Sequence, residues 1–383
     1  MSTKKKILFV NDEMVMGGVA RVLNNLLKEM DKDKYEIDLL ILHKHGELLK
    51  EIPEGVNVLE GTPFFRTVDI PLKQCNLSNI FPWLRQRLLM RFDLIENKIK
   101  KERKKILRKQ YDVEFAAKEG FCTIFVGCGD TPIKLNWVLT DYKEENFSKN
   151  HMGLVKKMLE RIDLNIACSD TVNNSYREVF GVDNIKTIYT VVDNEMIRSK
   201  SLEPLDITTD EKKINIICVA RFHEQKGLDR LIRVYARLKD YYKLTIVGDG
   251  ALKDELVSLA RSLNVYDDIT WTGILMNPYP YIRKNDLYVL PSRFEGYPTI
   301  TIESLISGTP VLALEVAGVK DQIDEEYKGW VIPNDEEKLF EKLDQLKESK
   351  TVLLEYKKQL STYYYDNKKI IAQFEEIFEG EKA

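Results

Sequence analysis

Glu295 and Glu303 stand eight residues apart in Glu295-Gly296-Tyr297-Pro298-Thr299-Ile300-Thr301-Ile302-Glu303. Ionised carboxylates accept charge-assisted hydrogen bonds, about twice as strong as neutral ones, so two of them on one wall suit the hydroxyls of a sugar or a ribose. What they do depends on the elements that carry them. The apolar run 286–290 predicts a strand, 291–296 a loop, and Pro298 the first residue of a helix. Glu295 would then lie at the carboxyl edge of a parallel sheet, where open α/β folds bind ligands, with the N–H groups near Pro298 to Ile300 facing an anion. Glu303, more than one turn into the helix, would point into the same crevice. A surface loop followed by an ordinary helical Glu has the same spacing, and the pair by itself does not separate the two readings.

Cations arrive on another loop. In Cys218-Val219-Ala220-Arg221-Phe222-His223-Glu224-Gln225-Lys226-Gly227 a strand end delivers Arg221, whose fork matches phosphate oxygens, and Lys226, a compact second charge. Together they would stabilise the charge growing on a departing diphosphate. Either one alone reads equally as half of a surface ion pair. Val247-Gly248-Asp249-Gly250 is a second strand-end turn, either a plain turn or part of a nucleotide pocket wall. Near the start, Met16-Gly17-Gly18-Val19-Ala20-Arg21 leads into the apolar-periodic stretch Val22, Leu23, Leu26 and Leu27. A Gly-Gly turn at a helix N-terminus can bring N–H groups and the helix dipole onto phosphate or a hydroxyl, although a simple tight turn looks the same. The dinucleotide pattern Gly-x-Gly-x-x-Gly follows none of the candidate strands, which disfavours a nicotinamide-dependent dehydrogenase.

The elements that must position these loops come as short apolar runs separated by helical patterns, the signature of parallel α/β architecture. One set of strands is expected at 6–10, 35–42, 56–59, 112–117, 135–140, 164–168 and 185–191. After the polar stretch 201–213 a second set opens at 214–220 and continues at 243–247, 269–272, 287–290, 311–314 and 330–332. At 383 residues two domains are the expectation. We place a first doubly wound domain at 1–195, a second at 196–365, and a final helix at 366–383. Ile370, Ile371, Phe374, Ile377 and Phe378 repeat at helical spacing there, giving a face to bury against the first domain.

Charge and cysteine content exclude several classes. The balance of 58 basic to 61 acidic residues gives no global reason to expect nucleic acid. Cys75, Cys122, Cys128, Cys168 and Cys218 are scattered, with no Cys-x-x-Cys pair, so neither a disulfide framework nor a zinc knuckle is expected, and a reduced cytosolic setting fits. Lys4 to Val10 is too short for a signal peptide, and no run approaches the roughly 20 apolar residues of a membrane span. Residues 85–109 stand apart, with eleven Lys or Arg against three acidic residues. Leu84, Leu88, Leu89, Phe92, Ile95 and Ile99 recur there at helical spacing. This reads either as one basic amphipathic helix on an anionic membrane surface or as a solvated helix packed on the first domain.

Taken together these segments resemble the retaining glycosyltransferases of GT-B fold known as family 4, or glycosyl transferases group 1. The resemblance rests on Gly17 to Arg21, Val219 to Gly227, Val247 to Gly250, Leu290-Pro291-Ser292-Arg293-Phe294-Glu295-Gly296-Tyr297-Pro298 through Glu303, and Gly308-Thr309-Pro310-Val311. It implies two Rossmann-like domains facing across a cleft, the first for the acceptor and the second for a nucleoside diphosphate sugar, with a uridine base expected. Arg221 and Lys226 would hold the donor diphosphate, Gly17 and Gly18 the distal phosphate, Glu295 the transferred sugar and Glu303 the ribose. Gly248 and the 295–299 loop with Gly296, Tyr297, Pro298 and Thr299 would line the donor, and Ile274 would mark where main-chain atoms grip the base. Glu295, Arg221 and Lys226 are the catalytic candidates, with no Glu cast as general base. No metal or cofactor is implied, in keeping with the lack of an Asp-x-Asp motif outside Asp31-Lys32-Asp33. The family often has a His where Leu139 stands, which leaves Thr140, Asp141 and Arg21 as acceptor or sugar contacts and His151 as a surface residue. The implied setting is bacterial surface polysaccharide synthesis, peripheral on the inner face of the cell membrane. Its rivals are a GT-B sugar-nucleotide epimerase or hydrolase and a non-catalytic sugar-nucleotide-binding relative.

Overall fold

The computed structural model describes residues 4–67, 80–91, 94–143, 149–205 and 209–380. Cys75, Phe92 and the side chain of His151 lie outside the described residues. The chain divides into two units, Met1–Val191 with Asn367–Ala383, and Val192–Asp366.

The first unit carries β1 (Lys5–Asn11), β2 (Tyr35–Ile41), β3 (Val56–Glu60), β4 (Val113–Ala116), β5 (Ile133–Val138), β6 (Leu164–Ala167) and β7 (Ile185–Thr187). They form a parallel sheet in the order β3-β2-β1-β4-β5-β6-β7. Ile7 to Val10 are fully buried because helices cover both faces of such a sheet, which is why the strand is apolar at consecutive positions rather than alternate ones. The helix Lys368–Glu379 belongs to this unit: Phe374 packs 5.6 Å from Trp137, and Phe378 packs 6.1 Å from Phe9 and 6.0 Å from Tyr35. Ile370, Phe374, Ile377 and Phe378 are its buried face, while Ile371 is only half-buried.

The second unit carries β8 (Ile214–Val219), β9 (Tyr242–Val247), β10 (Ile269–Trp271), β11 (Leu287–Leu290), β12 (Val311–Leu314) and β13 (Gly329–Ile332), again parallel, in the order β10-β9-β8-β11-β12-β13. Strand order reverses between β1 and β4 in the first sheet and between β8 and β11 in the second. The crevice at such a switch point lies outside the carboxyl ends of its two strands. The loops that leave β8 and β11 are those carrying Arg221 to Gly227 and Pro291 to Thr299.

Two expectations are corrected. The basic segment 85–109 is not one helix: Ile80–Arg91 and Ile95–Ile106 are separate. The second of these is a packed element. Ile95 and Ile99 are fully buried, and Arg103 turns inward to Glu114 Oε1 at 2.7 Å and to the carbonyl of Phe125 at 2.8 Å. Phe81, Leu84 and Leu88 on the first helix are exposed. The other correction is at Pro298, which caps the helix Thr299–Ile306 with ψ 96° instead of starting it.

Candidate functional site

The loops after β8 and β11 are joined by the chain itself. Gly227 has φ 62°, and a Cβ there would sit 2.1 Å from the carbonyl oxygen of Pro291, so only glycine lets the first loop lie against the second. Arg293 N–H donates to the carbonyl of Gln225 (2.8 Å), and Gln225 Nε2 donates to that of Phe294 (3.0 Å). The Arg293 guanidinium forks onto Asp229 at 2.9 and 2.8 Å. Burial alone would raise the Asp229 carboxyl, but hydrogen bonds from Arg293 and Arg233 outweigh it and hold the group well below the usual carboxylate range.

On this frame the two glutamates are buried, at 7% and 6% exposure, which an ordinary surface loop and helical Glu would not be. Lys226 Nζ donates to both oxygens of Glu295, at 2.7 and 2.8 Å, and Ser292 Oγ donates to Oε1 at 2.7 Å. An ammonium has three donors, so Lys226 holds Glu295 and keeps one N–H for another acceptor. Glu303 accepts from Thr299 Oγ1 at 3.1 Å. The hydroxyl of Tyr288 on β11 is held far from ionisation by burial first, with the negative charges of Glu295 and Glu303 adding to it. The Tyr288 hydroxyl donates to the carbonyl of Val219 at the end of β8 (3.2 Å). Arg221 is exposed at the same strand end, and its guanidinium meets no partner among the described residues. Tyr297 turns its hydroxyl to that of Tyr365 at 3.1 Å. Gly248 spends its N–H on the carbonyl of Gly273 (2.9 Å), closing a turn, and Ile274 just beyond is 67% exposed.

In the first unit, Gly17 caps the helix Gly18–Glu29 without any side-chain cap bond. A Cβ on Gly17 or Gly18 would meet nothing within 4 Å, so no protein neighbour demands these glycines, and both residues are exposed. Arg21 has its own contacts within the chain. Asp141 accepts from Ser175 Oγ and from the N–H of Lys143 (3.0 Å), which commits one of its oxygens to its own loop. Thr140 beside it is half-buried. At Leu139 the backbone N–H donates to the buried Glu119 at 3.0 Å.

Sequence reasoning brought Arg221, Lys226, Glu295 and Glu303 to one sheet edge. It missed Ser292, the Asp229–Arg293 fork and the Tyr297–Tyr365 contact, because each partner choice depends on a neighbour distant in sequence.

Residues 201–366 match the model of the family described as glycosyl transferases group 1. A Campylobacter jejuni protein, an N-acetylgalactosamine-N,N'-diacetylbacillosaminyl-diphospho-undecaprenol 4-alpha-N-acetylgalactosaminyltransferase, is 34% identical over 177 residues, 46% of this chain and 47% of that protein. An uncharacterized glycosyltransferase of Haemophilus influenzae is 23% identical over 98% of this chain and 99% of its own length. Among solved structures, Anabaena Alr3699/HepE in complex with UDP and glucose superposes with a TM-score of 0.72 at 18% identity, covering 98% of this chain and 99% of that one. Two parallel-sheet units of this kind are the GT-B fold. The match to the glycosyl transferases group 1 thus falls on the second unit, and the relatives that the chain matches are named glycosyltransferases.

Proposed function

We infer that the chain is a retaining, metal-independent transferase that moves a hexose-type unit from a nucleoside diphosphate sugar to a hydroxyl of a glycan or lipid-linked acceptor in bacterial surface polysaccharide synthesis. The observation that carries this reading is the exposed Arg221 beside Lys226, itself locked on buried Glu295, at one switch point. Two cations at a strand end suit a diphosphate, and a buried carboxylate held from two sides suits a sugar hydroxyl. Glu303 serves the ribose, Gly296 to Thr299 and Gly248 line the donor, and main-chain atoms at Ile274 hold the base. The exposed Gly17 and Gly18 at a helix start offer a phosphate end in the first unit, where Arg21, Thr140 and Asp141 are the candidates for sugar or acceptor.

The acceptor hydroxyl attacks the anomeric carbon on the side from which the diphosphate departs. A phosphate oxygen takes the hydroxyl proton, and the new bond keeps the anomeric configuration. The protein contributes position and charge rather than a nucleophile. Uridine is the base assigned to the donor, because the Anabaena protein is described with UDP. A lipid-linked acceptor is assigned because the Campylobacter relative is named for a diphospho-undecaprenol substrate. Contact with an anionic membrane rests on the cations Arg85, Arg87 and Arg91 and the exposed Phe81, Leu84 and Leu88 of the helix Ile80–Arg91. Among the described residues no helix is long and apolar enough to cross a membrane.

Thermal-shift screening against uridine, guanosine, adenosine and thymidine diphosphate sugars tests the donor, since a ligand that binds only the native state raises the melting temperature. A uridine donor is expected to stabilise the protein and to be consumed only with acceptor present. Release of altered sugar without acceptor identifies an epimerase or hydrolase instead. Transfer that requires added Mg2+ or Mn2+ overturns the metal-independent part.

A further inference from the structure

The carboxyl ends of β1 and β2 gather three metal-ligating side chains that the transfer reaction does not employ. Glu13 follows Asn11, the last residue of β1, and His43 and His45 follow Ile41, the last of β2. The two exits are laced together by backbone: Leu42 N–H donates to the carbonyl of Asn11 (2.9 Å), His43 N–H to that of Asp12 (2.7 Å), and Met14 N–H to that of His45 (2.9 Å). Glu13 is oriented from its own side, its N–H on Asp12 Oδ1 at 2.9 Å and its carbonyl accepting from Asn11 Nδ2 at 2.7 Å. Gly46 allows the approach, because at φ 115° its missing Cβ would lie 2.1 Å from the carbonyl carbon of Met14. These constraints converge on the side chains. The imidazole rings are 4.1 Å apart, His45 Nε2 is 3.4 Å from Glu13 Oε2, and one ligand atom from each residue lies within 4.8 Å of the other two.

Nitrogen and carboxylate ligands lie about 2.0 to 2.2 Å from Zn2+, so two of them at a tetrahedral angle are roughly 3.4 Å apart. The His45–Glu13 pair already has that separation. A ligand atom of His43 within 4.8 Å of both makes a three-ligand set. Two imidazoles and one carboxylate select d-block ions, while Ca2+ and Mg2+ take oxygen ligands. Glu13 and His45 are 36% and 45% exposed, which leaves water to fill the remaining coordination. The geometry points to a site for a divalent d-block cation such as Zn2+, held by Glu13, His43 and His45, that clamps the exit of β1 to the exit of β2. The clamped segment continues through Met16, whose N–H is held by Glu47 Oε2 at 3.0 Å, into Gly17 and Gly18. The ion thereby sets the mobility of that glycine turn without entering the transfer chemistry.

Calorimetric titration of the metal-stripped full chain with Zn2+, in the absence of any sugar nucleotide, reads the site independently of the proposed transfer. One ion per chain is expected to bind the wild type and raise its melting temperature. Glu13→Gln should weaken binding by more than about tenfold, and His43→Ala/His45→Ala should abolish it. Melting without metal shows whether each variant is folded. Because the chain has five cysteines, Co2+ substitution supplies the second reading: an absorption spectrum without thiolate charge-transfer bands is expected. No Zn2+ binding by the wild type, unchanged affinity in the double histidine variant, or a thiolate spectrum each overturns the site.

Discussion

The two sheets share a topology, yet their switch-point crevices are built differently. In the second unit the loops after β8 and β11 are bound to each other by backbone hydrogen bonds, by the Asp229–Arg293 fork and by Lys226 on both oxygens of a buried Glu295. In the first unit the loops after β1 and β4 meet through the ion pair of Lys118 with Asp12, both partly exposed. A partly exposed ion pair contributes less to rigidity than a buried carboxylate held by three hydrogen bonds from two side chains. The difference teaches where preorganisation was placed: on the cation and carboxylate side of the second unit, with the glycine turn of the first left open.

The comparison breaks most visibly at Lys226. Lys226→Ala is expected to lower turnover by about 100-fold to 1000-fold, as removal of one charge-stabilising donor does. It should also lower stability by about 1 to 3 kcal/mol, because Glu295 is left buried without its counter-ion. Arg221→Ala, at an exposed side chain, should match the turnover loss with an unchanged melting temperature. Steady-state transfer rates beside calorimetric melting separate the two, and near-normal transfer by either variant removes its cation from the site.

A smaller effect sharpens the contrast between crevices. Arg293→Ala should lower kcat/KM on the order of tenfold by releasing one loop from the other, since misplacement of even about 1 Å is costly. Lys118→Ala, the corresponding cut in the first unit, should change kcat/KM by less than about twofold. Equal losses would mean that both crevices are equally preorganised.

The smallest effect is a pH dependence confined to the first unit. The Glu96 carboxyl is held at about 2 by a hydrogen bond from Arg161, then by Lys100, against the opposing effect of burial. Its folded value lies below its unfolded one of about 4.3, so its contribution to stability is complete above that pH and fades as pH falls toward about 2. Wild type should therefore melt above Glu96→Gln at pH 6, with the gap closing between about pH 4 and pH 2. A gap that stays constant with pH would show that the pair contributes by packing rather than charge.

Much of the architecture was legible because parallel strands buried on both faces must be apolar at consecutive positions. The expected runs at 6–10, 214–220 and 287–290 fall on β1, β8 and β11 for that reason. The last expected strand of the first set was too long: β7 ends at Thr187, not Val191. The basic segment was misread as one stripe because spacing cannot tell two helices, Ile80–Arg91 and Ile95–Ile106, from a continuous one, nor see Arg103 turn inward to Glu114.

By itself the sequence determined the residue types at each strand exit: cations after β8, carboxylates after β11 and glycines after β1. These follow from local patterns, in which apolar runs, turn residues and helix starts are read within a few neighbours. Only the tertiary structure decided that Lys226 closes on Glu295 across 69 positions, that Ser292 holds the same carboxylate, and that Glu13 meets His43 and His45. The physical reason is that a side chain's partner is set by which strands lie side by side, and the parallel crossovers bring together residues that no local pattern relates.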